Sequence, residues 1–262
     1  PGWQGEIRHL HGLCGQEASP ARSLRPLANS RFVVLISADG EWAPTLEIQS
    51  PKQIEETPLG QTFVLQSPNG LVRYFHSGWG KISSAAATQY LIDTFHPELL
   101  VNLGTCGGLA GHVNIGEILL VRETVLYDVI ESMADYTQAI DYYRSYADIS
   151  WLTGPLPENT RISRMASADQ DIRPQSYAKI FGEFGAPAAD WESGAIAWTA
   201  TCNGVPWLIL RGVTDLVSPT AAEADGQLAL WQERTRDVME KLLTDLPWYL
   251  SEFNQKRQKS LE

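Results

Sequence analysis

The chain has 262 residues, 44% of them hydrophobic and 19% charged, a balance that supports a large buried core and argues against disorder. Lys and Arg number 20 against 31 Asp and Glu, so the formal net charge is −11, and with no basic patch this argues against a nucleic-acid partner. Apolar runs such as Phe32–Ile36 fall far short of the roughly 20 residues of a membrane-spanning helix, so no membrane partner is expected. Residues 1–30 are aperiodic and rich in Gly, Pro, Ser and Arg. They are expected to form a poorly ordered extension, with one folded domain over residues 31–250 and a polar tail over 251–262. No basic stretch followed by an apolar core marks a secretory leader. Cys14, Cys106 and Cys202 are scattered and form no CxxC pair, which fits free thiols in a reducing cytoplasm.

Residues 31–37 (RFVVLIS) form an aliphatic run suited to a strand buried on both faces. Residues 62–66 and 71–76 flank Ser67-Pro68-Asn69-Gly70, whose Asn-Gly pair favours a hairpin. After the turn 77–81 (SGWGK), residues 82–95 are Ala-rich and free of Gly and Pro, which predicts a helix ended by Pro97. Residues 99–103 are a second buried strand running into the glycine-rich segment 104–108, and 115–129 read as extended structure. The tyrosine-rich stretch 136–146 reads as a helix or a lid. Residues 161–168 predict a strand, 174–184 a helix, and 194–202 a small-residue helix closed by Asn203-Gly204. Residues 206–213 (PWLILRGV) are a third buried strand. A last helix over 223–246 carries Leu228, Trp231, Val238 and Leu242 on one face. This alternation without repeats predicts a three-layer α/β sandwich with a central mixed sheet flanked by helices.

In such sheets ligands bind beyond the carboxyl ends of the strands. Three strand ends here lead into Ser37-Ala38-Asp39-Gly40-Glu41, Gly104-Thr105-Cys106-Gly107-Gly108 and Thr214-Asp215, and Asp190-Trp191-Glu192 precedes the helix at Gly194. Glycines let the backbone approach a ligand, and carboxylates supply acid, base or hydroxyl-binding groups. Taken singly, each also reads as a plain connection or a helix cap. There is no GxxxxGK[ST], HExxH or GxSxG segment, and His9, His11, His76, His96 and His112 show no metal-ligand spacing beyond His9/His11. No cofactor and no metal are expected. His76, beside the turn at Ser77, is a candidate pocket-lining residue, and Cys106 lacks a base to activate it.

The segments 77–81, 102–108 (NLGTCGG), Gly116-Glu117, Ser167-Ala168-Asp169, Asp190-Trp191-Glu192 and 211–215 (RGVTD) occur in an order that resembles the nucleoside phosphorylase/nucleosidase family. Within it the chain looks most like the 5′-methylthioadenosine/S-adenosylhomocysteine nucleosidases, over roughly residues 32–246. The resemblance implies cleavage of the bond between ribose C1′ and purine N9 through an oxocarbenium-like transition state. It makes Asp215 the acid that protonates N7, oriented by Thr214 or Thr105. Such an acid must hold a proton near neutral pH, which burial or a neighbouring carboxylate achieves.

Glu192 would grip the ribose 2′ and 3′ hydroxyls, and its charge would favour the positive sugar. Trp191 stands against the sugar face where Met is usual. Glu41 would activate water, although it comes one residue early, with Trp42 in the register position and Asp39 as the alternative base. Ala38, Thr105, Cys106, Gly107 and Ile172 would line the site, with Ser167 and Asp169 shaping its floor. Asp171 replaces an aromatic that stacks on adenine, which points to a base presenting N–H donors. Residues 37–47 hold no Lys or Arg, and Asn102 stands where phosphorylases carry Arg, so water is the expected acceptor. Phosphorolysis remains the second reading, because Arg73, Arg122 or Arg211 could reach the site, and a non-catalytic nucleoside-binding homologue is the third. A homodimer is implied by analogy alone.

Overall fold

The computed structural model describes residues 30–224 and 226–259. Ten strands, β1 (Phe32–Ile36), β2 (Glu55–Thr57), β3 (Gly60–Ser67), β4 (Gly70–His76), β5 (Leu99–Leu109), β6 (Ile118–Leu126), β7 (Ser145–Tyr146), β8 (Thr160–Ser167), β9 (Ala188–Asp190) and β10 (Trp207–Val217), form one mixed sheet. Its path runs β10-β6-β8-β9-β5-β1-β4-β3-β2, with β7 on β6. Because β10 also pairs with β5, the half from β5 to β10 closes on itself. The helices are α1 (Asp39–Gln49), α2 (Lys81–Phe95), α3 (Tyr136–Tyr142), α4 (Ser193–Cys202) and α5 (Leu228–Lys259).

All five residues of β1 are buried, and their alternation explains the layers. Phe32, Val34 and Ile36 pack with the α5 stripe of Val238, Met239 and Leu242, while Val33 and Leu35 pack with Leu91 of α2 and Ile196 of α4. Each fully buried aliphatic side chain contributes about 1.5–3 kcal/mol. Helices on both faces of the sheet make the expected sandwich. Strands β4, β1, β5 and β10 are mutually parallel neighbours, so their carboxyl ends share one edge.

Four expectations are corrected. The glycine-rich segment 104–108 is not a connection but lies inside β5, paired with β10 throughout. A Cβ on Gly104 would come within 2.0 Å of Arg211 Nη1, so glycine here lets a guanidinium lie against the strand. The acidic stretch after β1 enters helix α1, which Gly40 and Pro44 hide from a propensity reading. A Cβ on Gly40 would meet the Trp231 indole at 2.5 Å, and Glu41 Oε2 caps the helix by accepting from the Ala38 amide at 3.2 Å. Residues 174–184 form a 3₁₀ turn (Pro174–Ser176) and a π turn (Lys179–Glu183) instead of an α-helix, in a stretch weakened by Gly182.

Finally, the last helix, expected over 223–246, starts at Leu228 and runs through Pro247 to Lys259. Its apolar stripe continues past the proline through Tyr249 and Leu250. Glu252 then accepts from the Thr153 amide at 2.8 Å and the Gly154 amide at 3.1 Å. The stretch 136–146 resolves into α3 and β7. The expected N-terminal extension lies outside the described residues, apart from buried Ser30.

Candidate active site

The first turn of α1 turns Glu41 inward, where Oε1 accepts from the Thr105 amide at 2.6 Å and the Thr105 hydroxyl at 2.8 Å. Asp39, the alternative base, is 80% exposed and lies 3.2 Å from His76 Nε2. Trp42 enters the core, stacked on His76 at 5.3 Å, and its Nε1 donates to Gln61 at 3.0 Å. A helical turn thus brings Glu41 inward and leaves Asp39 at the surface. His76 packs on Trp42 rather than lining the site.

Arg211 on β10 is fully buried among three carboxylates. Its Nε lies 2.7 Å from Asp190 Oδ2, Nη2 lies 3.6 Å from Glu192 Oε2, and Nη1 lies 4.0 Å from Glu41 Oε1. Asn102 orients the guanidinium: its Nδ2 donates to the Leu35 carbonyl at 2.9 Å, leaving Oδ1 to accept from Nη2 at 2.7 Å. Asp190 accepts from the Ser167 hydroxyl at 2.6 Å and also from the Ser193 hydroxyl. Glu192 Oε1 accepts from the Gly80 amide at 3.0 Å, which ties the 77–81 turn to this carboxylate.

One cation cannot offset three buried anions, and an uncompensated buried charge is costly. Burial pushes the Glu192 carboxyl up to about 8, opposed by Arg211 and the Gly80 amide and reinforced by Asp190 and Glu41. Burial pulls Arg211 down, but Asp190, Glu192 and Glu41 outweigh it and keep the guanidinium charged.

Asp215 sits four residues further along β10, past a bulge. The pairing with β5 shifts between Val213 and Asp215, which makes Thr214 the extra residue and re-aims the side chain. The Thr214 hydroxyl lies 2.9 Å from Asp215 Oδ1, whereas Thr105 serves Glu41. Oδ2 faces Gly107: a Cβ there would stand 3.4 Å from Oδ2 and 2.9 Å from Ile172 Cδ1. Gly107, Asp215 and Ile172 thus lie side by side. Burial raises the Asp215 carboxyl above the ordinary aspartate range, with the Thr214 bond and Arg234 opposing and Glu223 and Asp171 adding.

Trp79 in the turn after β4 meets Trp191 edge to face at 5.3 Å, beside Glu192. Asp169 accepts from the Lys81 amide at 2.8 Å and so fastens that turn from outside, while Ser167 lies beneath Asp190. Ala38 is half-buried and contributes its amide to Glu41, and Asp171 is exposed. Cys106 is buried, and burial pushes its thiol well up, which makes it a neutral filler. Among the described residues no group of three or more His, Cys, Asp or Glu is arranged to hold a metal ion, and no helix is long and apolar enough to cross a membrane. Sequence reasoning left Arg211 as one of three cations and overlooked Asp190 and Asn102 as its partners. The usable signal was an arginine inside the apolar run PWLILRGV, since a charge in a buried strand requires partners.

A sequence profile described as the phosphorylase superfamily matches residues 32–244. The protein of Treponema pallidum named 5′-methylthioadenosine/S-adenosylhomocysteine nucleosidase is 29% identical over 221 residues, covering 71% of this chain and 81% of that protein. The solved structure of Arabidopsis thaliana 5′-methylthioadenosine nucleosidase superposes with a TM-score of 0.71 at 21% identity, covering 86% of this chain and 100% of that one. Futalosine hydrolase of Helicobacter pylori superposes with a TM-score of 0.69 at 17% identity, covering 84% and 98% of the respective chains. At those identities the two superpositions establish a shared fold. The profile match extends over most of the chain, from β1 into α5: the chain belongs to the phosphorylase superfamily.

Proposed function

We propose that the protein hydrolyses the N-glycosidic bond of a purine nucleoside of the 5′-methylthioadenosine/S-adenosylhomocysteine kind. The observation that carries this reading is the pairing of a half-buried acid, Asp215, over Gly107 with a carboxylate cluster gathered around Arg211 of the same strand. Asp215 gives its proton to purine N7 and makes the base a better leaving group. Glu192 accepts from the ribose hydroxyls, and the cluster's negative charge stabilises the developing oxocarbenium ion. Trp191 covers the sugar face. Glu41 Oε1 and Arg211 Nη1, 4.0 Å apart, present an acceptor and a donor to one attacking water. Ile172 and Gly107 border the base, and Asp171 accepts from a donor on it.

Water is favoured over phosphate because the buried Arg211 is already shared by Asp190, Glu192 and Glu41. A phosphate dianion placed there would meet net negative charge. The same reading includes a homodimer, supported by Ile82, Ile130 and Met133 standing 85%, 85% and 97% exposed, which sedimentation checks. It also includes a reducing cytoplasm, supported by the unpaired Cys106 and Cys202. The test is incubation with 5′-methylthioadenosine, S-adenosylhomocysteine, inosine, adenosine and futalosine, with and without phosphate. Free base released without phosphate is the expected result. Release only with phosphate indicates phosphorolysis, and tight binding without turnover indicates a binding protein.

A further inference from the structure

The bulge that aims Asp215 has a structural consequence. It breaks the register between β10 and β5 at Thr214, where the backbone on either side of the acid takes partners outside the ladder. Both partners belong to one ion pair. Arg234, in the second turn of α5, donates Nη1 to the Thr214 carbonyl at 2.8 Å and Nη2 to Glu223 Oε1 at 2.9 Å. Glu223, in the loop between β10 and α5, accepts from the Leu216 amide through Oε2 at 3.2 Å and returns its own amide to the Leu216 carbonyl at 3.0 Å. The peptide groups before and after Asp215 are thus gripped by a single guanidinium–carboxylate unit.

The same face of α5 carries Trp231, three residues earlier, whose indole packs on Gly40, the residue before Glu41. One helix end therefore touches the supports of both the base-side acid and the water-side carboxylate.

We propose that the Arg234–Glu223 pair is the positioning unit of Asp215: it holds the bulged backbone and so keeps the carboxyl aimed over Gly107. Neither residue is catalytic; both act through the backbone that carries the acid. An ion pair this close to solvent ordinarily adds little to stability, so its loss leaves the fold standing and is read in the chemistry. The proposal rests on the assignment of Asp215 as proton donor. The groups facing Asp215 are Thr214 from its own strand, Asp171 from the segment after β8, Glu223 from the loop and Arg234 from α5. Of the two partners, Arg234 lowers the carboxyl pKa and Glu223 raises it.

The test compares Arg234→Gln, Arg234→Lys and Glu223→Gln with the wild type on the nucleoside it cleaves. It also includes a pH titration of the Asp215 carboxyl by carbon NMR, assigned with Asp215→Asn. Arg234→Gln is expected to lower kcat roughly 10- to 100-fold with little change in KM, because a small misplacement of a reacting group acts on the transition state. Its Asp215 titration should move up, and Arg234→Lys should restore most of kcat. Glu223→Gln should lower kcat less while moving the titration down. Wild-type kcat in Arg234→Gln with an unmoved titration overturns the proposal, as does a fall in kcat that only tracks loss of folded protein in thermal unfolding. If the wild type cleaves no nucleoside, the hydrolase reading fails separately. The NMR titration alone then decides: an upward shift in Arg234→Gln supports the positioning unit and an unmoved one removes it.

Discussion

Two charge clusters, one on the buried Glu123 and one on the buried Arg211, hang on strands of the same sheet, and they are built on opposite balances. At the β6–β7–β8 edge, Glu123 is held by Arg144 and by Arg164 at 2.6 Å, while Arg144 also takes Asp141 at 3.0 Å. Two acids meet two bases there, every charge has a partner, and the group fastens α3 and β8 to β6. Around Arg211, three acids meet one base, in a place where water cannot make up the difference. The first cluster is architecture. The second keeps a surplus of negative charge, which adds to the burial that raises Glu192 and suits a cationic transition state better than it suits stability.

The largest expected effect lies beyond both clusters, at the acid itself. Asp215→Asn should lower base release by roughly 10²- to 10⁴-fold, measured by chromatography, with the unfolding midpoint held near the wild-type value. A variant with near-normal turnover would remove Asp215 from the chemistry. Next comes the hub: Arg211→Gln leaves three carboxylates without their cation and should lose about 3–5 kcal/mol in urea unfolding, together with activity. Glu123→Gln, the matching change at the balanced cluster, should lose only about 1–3 kcal/mol and keep kcat. Similar losses and similar activities in the two variants would break the contrast between them.

A further effect is a slope. Glu192 titrates near 8 when folded, against about 4.3 for an unperturbed glutamate, so between those values the folded state holds a proton that the unfolded state has released. Stability should therefore fall as pH rises through that window, by up to about 1.4 kcal/mol per pH unit, and level off above it. Glu192→Gln should flatten the dependence, as followed by urea midpoints across the range. Turnover should fall on the alkaline side, as the raised Asp215 carboxyl gives up its proton.

Much of the scaffold was legible because the signals are local. The apolar run of β1, the Asn-Gly hairpin between β3 and β4, and the glycine-free stretch of α2 each state their structure within a few residues. Helix α1 was not legible, since Gly40 and Pro44 argue against a helix and their reasons lie elsewhere. The glycine is there to admit Trp231 from a helix nearly two hundred residues away in the chain. Pro247 misled in the same way, because the α5 stripe that carries the helix past it is a tertiary contact. The candidate site shows the same division: its acids and Asn102 stood out as motif residues, whereas the bond from Arg211 to Asn102 and the place of Arg234 emerged only from the tertiary structure.

By itself, the sequence determined the layer order, the parallel strand ends and the identities of the acidic groups gathered there, since periodicity, turn chemistry and motif order are properties of neighbouring residues. Only the tertiary structure decided which acids face inward, which cation they share and how the bulge at Thr214 is braced. Those outcomes depend on groups far apart in the chain, and on the cost of burying a charge until a partner from another element arrives to meet it.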